Sequence, residues 1–112
     1  MNPNRYRGEV IAELDGAPYR LCLTLGALAE LEGAYEAGDL AALVSRFASG
    51  KLSATDLIRI TGAALRGGGT AIADEAVARM QCAGGVAGFA TLVAELLTAT
   101  FAQGDGAQPP NP

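Results

Sequence analysis

At 112 residues the chain has material for one domain with a single modest core, and half of its residues are apolar, so it reads as globular rather than disordered. Twelve acidic against eight basic residues give a net charge of -4, which argues against binding duplex nucleic acid or an anionic membrane. Ala, Leu and Val supply most of the apolar content, with three Phe, three Tyr and no Trp. That composition suits closely packed helices better than a deep aromatic pocket.

In chain order, Arg7 to Leu14 alternates like a strand, with Val10, Ala12 and Leu14 on one face and Glu9, Ile11 and Glu13 on the other. Asp15-Gly16 accepts positive φ and predicts a tight turn. Pro18 to Leu23 alternates again, placing Tyr19, Leu21 and Leu23 together. A β-hairpin over residues 7–23 follows. Two strands alone are marginal in water, so the hairpin must lean on helices or on another subunit.

Thr24 can cap a first helix carrying Leu25, Leu28, Leu31 and Tyr35 at helical spacing, ended by Gly38. Asp39 caps a second, whose stripe is Leu40, Leu43, Val44 and Phe47, stopped by Gly50. Ser53-Ala-Thr-Asp56 has the form of a capping box, with Asp for the usual Glu, and opens a third helix through Leu57, Ile58, Thr61, Ala64 and Leu65. Gly67-Gly68-Gly69 breaks it. Thr70 is then the predicted cap of a fourth helix, with Asp74 and Glu75 near its positive end and Ala73, Val77 and Met80 on its inner stripe. After Gly84-Gly85 a last helix carries Phe89, Val93, Leu96 and Leu97. Residues 103–112, rich in Gly, Pro and Gln, read as a disordered tail behind a single domain of residues 1–102. The expected fold is mainly α: a short N-terminal hairpin and about five packed helices.

Reactive chemistry is sparse. With no histidine, the commonest general base, the usual triads and most zinc sites are missing. Cys22 and Cys82 form no CxxC, and no imidazole activates Cys22, so both read as core thiols. Glu32 and Glu36 are one turn apart on a face without apolar cover, which reads as solvated helix surface. Gly67-Gly68-Gly69-Thr70 precedes a predicted helix but lacks the Lys of a Walker loop, so a plain turn is preferred to a phosphate site. The expectation is no enzyme, no cofactor and no metal.

The last helix is the unusual element. Between Val86 and Phe101 only Glu95 is charged, and the stretch is shorter than the roughly 20 residues a membrane span needs. Such a helix is either central in the bundle or docked on a partner. On the second reading Phe89, Leu92, Val93 and Leu96 are the candidate partner contacts.

The run RGEVIAELDGAPYRLCLTLGALAELE (Arg7 to Glu32) resembles the small gene transfer agent family of phage tail proteins. Its distinctive part is Thr24 to Glu32, TLGALAELE, behind an Arg-Leu-x-Leu strand; the likeness extends over about residues 5–101. The resemblance implies a non-enzymatic role in building a phage-like tail. Such proteins are similar to tail assembly chaperones, which bind the long tape-measure protein before the tube polymerises. The alternative is a structural, tube-associated component of the particle. Tubes are rings of β-sandwich subunits, and two strands with about five helices point instead to the chaperone. Its expected partners are the tape-measure or another tail protein, with a homo-oligomer possible, and its expected location is the cytoplasm or the assembled particle.

Overall fold

The computed structural model describes residues 8–102, so Arg7 and the tail expected over 103–112 lie outside the described residues. Strands β1 (Glu9–Leu14) and β2 (Ala17–Cys22) form an antiparallel hairpin, followed by α1 (Leu25–Tyr35), α2 (Leu40–Ala48), α3 (Ala54–Gly67), α4 (Asp74–Val77) and α5 (Gly85–Leu97). A π-helical turn, Thr98–Ala102, closes the described chain. The mainly α architecture with an N-terminal hairpin is as the periodicity predicts.

Asp15 and Gly16 both have positive φ (54° and 80°), so the two-residue turn joins Leu14 to Ala17 with the twist the strands need. From that register Pro18, Arg20 and Cys22 alternate onto the outer edge of β2, where Pro18 has no N–H to leave unpaired. Both hairpin edges are engaged. The C-terminal end of α3 approaches the carbonyls of Arg20 and Cys22. On the β1 side, Asp15 N–H donates to the Gln81 carbonyl and Gln81 N–H to Asp15 Oδ1, each at 2.8 Å, and Leu14 bridges to Cys82. The hairpin therefore leans on its own helices.

Three of the predicted caps are present. Thr24 Oγ1 accepts from Ala27 N–H at 3.1 Å, and Asp39 Oδ1 accepts from Ala42 N–H at 2.9 Å. Ser53 and Asp56 exchange side chain and backbone in a full capping box. Two boundaries differ. Helix α1 ends at Tyr35, because Glu36 turns left-handed (φ 53°) before Gly38 is reached. The fourth helix is one turn starting after Ala73, not after Thr70. Thr70 N–H instead returns to the Leu65 carbonyl at 2.9 Å and so belongs to the end of α3. Ala73 is consequently exposed, while Val77 is buried as expected.

The core runs along α3, which buries Leu57, Ile60, Thr61 and Ala63 to Leu65. It packs on β2, α1, α4 and α5, whereas α2 lies chiefly on α1 through Leu43 and Phe47. The centre of the bundle is thus α3 and not the last helix.

Candidate interaction groove

An apolar groove of about 370 Å³ lies between the N-terminal parts of α3 and α5, with α4 at its side. Leu57 and Ile58 form one wall, Val77 and Met80 the floor and side, and Val86 and Phe89 the other wall. Its shape follows from local sequence. Gly84 and Gly85 both take positive φ (87° and 63°), which lets the chain reverse sharply into α5 without a side-chain cap. Between Met80 and Ala94 there is no charged residue, so the lip of the groove is neutral. Val86 stands on that lip 74% exposed. A surface of this kind holds an apolar side chain or a helix face by excluding water.

Of the residues expected to touch a partner, the structure brings only Phe89 to this groove, partly buried. Leu92, Val93 and Leu96 are corrected to core: they are 5%, 0% and 0% exposed. The reason is the rotation of α5, whose inner face points at α3 and β1 while Val86, Ala87, Ala90, Thr91 and Ala94 face outward. Sequence reading missed Val86, and it also placed Leu25 on the inner stripe of α1. Ala27 is buried there instead, and Leu25 is 79% exposed.

Charged groups avoid the groove and pair elsewhere. Arg66 on α3 reaches Glu30 at 2.9 Å and Asp74 at 3.0 Å, and it donates to the Ile72 carbonyl at 2.8 Å. Asp74, expected to serve a helix dipole, thus also ties the loop before α4 to α3. In a second cluster the Tyr35 hydroxyl donates to Asp56, and Arg46 and Arg59 lie 4.5 and 5.3 Å from the Tyr35 ring centre. Phe47 meets the same ring edge-on at 5.4 Å. Cys22 is partly buried, and burial followed by the Glu9 charge pushes its thiol above the ordinary range. Among the described residues no group of three or more His, Cys, Asp or Glu could hold a metal ion, and no helix is long and apolar enough to cross a membrane.

The Tyr35–Asp56 pair makes stability fall at both ends of the pH scale. Burial pushes the Asp56 carboxyl up, but hydrogen bonds with Tyr35 and Ser53 and the Arg46 charge outweigh it and hold it below the usual value. Its contribution is complete above the unfolded carboxylate range and is lost as pH falls through the lower folded value. Tyr35 is raised from 10.0 to about 12, first by burial and then by Asp56. Its contribution is complete below pH 10 and is lost as pH rises through about 12. Denaturant titrations across pH should show both declines, and Tyr35→Phe should flatten the alkaline one. An unchanged alkaline limb in that variant would refute the assignment.

Comparison with family models finds a match, described as phage tail tube protein, GTA-gp10, over residues 7–103. The chain belongs to this family. Comparison with the curated proteins and with the solved structures finds no match. As a GTA-gp10 family member the chain is a gene transfer agent tail protein, in line with the likeness carried by Thr24 to Glu32. The family description names a tube protein, which fits the alternative, a structural tail component, better than the expected tape-measure chaperone.

Proposed function

We propose that this GTA-gp10 family member is a tube-associated structural component of the gene transfer agent tail, retained in the assembled particle and acting by surface contact without a catalytic step. The observation that carries the reading is the family match over residues 7–103 on a chain that carries an apolar groove lined by uncharged residues. Burying such a groove against a neighbouring tail protein removes apolar surface from water, at roughly 25 cal/mol per Å². The charged clusters at Arg66 and Asp56 stabilise the subunit and stay outside the contact.

Mass spectrometry of purified particles tests this. The chain should be present in fixed proportion to the other tail proteins. A Val86→Arg variant should fold normally, because the side chain is exposed, and yet be depleted from particles. Absence of the native chain from intact particles would overturn the structural role.

One observation favours a second reading. The fold has a two-stranded sheet among its described residues, little material for a sandwich-type ring subunit. A transient helper that shields the tape-measure protein would accumulate with that protein in cell extracts and be missing from finished particles.

A further inference from the structure

Helix α2 is held to the rest of the fold by its side chains alone. Of its apolar stripe only Leu43 and Phe47 are buried; Val44 is half-buried and Leu40 is 41% exposed. Among the described residues, no hydrogen bond joins residues 38–51 to another element. Asp39 caps its own helix, and Ser49 bonds only the Arg46 carbonyl and the Lys51 N–H. Both ends are free to turn. Glu36 (φ 53°) and Gly50 (φ 77°) take left-handed backbone on either side, and Gly38 and Gly50 stand in open space.

One charged side chain closes the contact. Arg46 lies 4.5 Å from the Tyr35 ring centre and 3.6 Å from Asp56 Oδ1, while Phe47 meets the same ring edge-on. The receiving half of this clasp is fixed without α2. The Tyr35 hydroxyl donates to Asp56, the Asp56 carboxylate also closes the α3 capping box, and Arg59 of α3 lies 5.3 Å from the Tyr35 ring centre. We propose that residues 38–51 form a hinged strap that opens as a unit while the hairpin, α1, α3 and α5 stay folded, uncovering the Tyr35 ring and the Asp56 carboxylate. Opening gives up two buried apolar side chains and the Arg46 clasp, and it returns conformational freedom to the whole segment. A nine-residue helix is marginal in water on its own, so α2 melts as it leaves. Helix α3, buried on the hairpin, α1 and α5, opens only when the domain does.

Native-state hydrogen exchange on the full chain and two variants tests it. Corrected for intrinsic rates, the amides of Leu43 to Ala48 should exchange at least about a hundredfold faster than those of Ile60 to Leu65. Arg46→Ala should speed exchange in α2 about threefold to tenfold, since its half-exposed side chain is the clasp. Leu96→Ala separates local from global opening, because Leu96 belongs to the core that stays closed. It should speed exchange in α3 by about thirtyfold or more and leave α2 unchanged. Trypsin gives a readout that needs only the native chain: cleavage after Arg46 should come before cleavage after Arg59 or Arg66. Equal protection of α2 and α3 would overturn the proposal, as would a Leu96→Ala variant that speeds both alike or cleavage that begins in α3. An Arg46→Ala variant with native exchange in α2 would remove the clasp. The strap belongs to the single chain, so none of these outcomes bears on the structural tail reading.

Discussion

Gly68→Ala should cost about 3 kcal/mol or more, a large part of what a domain this size has to lose. A methyl group there would lie 2.0 Å from the Arg20 carbonyl oxygen, and at Gly67 2.1 Å from that of Cys22. Both oxygens are backbone atoms of β2, so relief requires moving the hairpin off α3. The backbone at Gly68 has negative φ (-85°), which alanine also adopts, so the loss is chiefly steric. Gly69 is the internal control. Its φ is 106° with open space around it, so Gly69→Ala should show only the backbone penalty of about 1–2 kcal/mol. Urea titrations of the two variants would decide; equal losses at Gly68 and Gly69 would show that α3 does not press on the strand edge.

Leu96→Ala should cost about 2–5 kcal/mol through the cavity it leaves. Leu96 is fully buried among the residues that α5 sends toward the core. The loss should appear in the melt of the isolated protein, before any partner is present. Phe89→Ala, on the groove wall, should affect the melt less and any docking more. The reverse ranking would mean that the inner face of α5 is available to partners.

These substitutions also mark where sequence reading succeeds and where it stops. The caps at Thr24, Asp39 and Ser53 were legible because an N-cap is a local rule linking a side chain to a backbone three residues on. The hairpin was legible because Asp15-Gly16 sets both turn and register. Ala-rich segments were harder. From Thr70 to Ala73 nothing in the pattern tells a helix from extended chain, and the decision comes from Thr70 closing α3 and Arg66 holding the Ile72 carbonyl. Small residues all round α5 likewise blurred its rotation, so three core residues were grouped with Phe89. The groove was beyond reach, because its walls come from three helices whose mutual placement depends on packing at α3. The glycine run after α3 read only as a break; its close approach to β2 needs the tertiary fold.

The position of α3 in the middle of the chain has a consequence for synthesis. The hairpin, α1, α4 and α5 all rest against residues 54–67, so the first half of the polypeptide emerges from the ribosome with no scaffold to settle on. The hairpin and α1 therefore find their support only once α3, ending at Gly67, has been made. A product cut short before α3 would be left without the helix on which the rest of the core is laid.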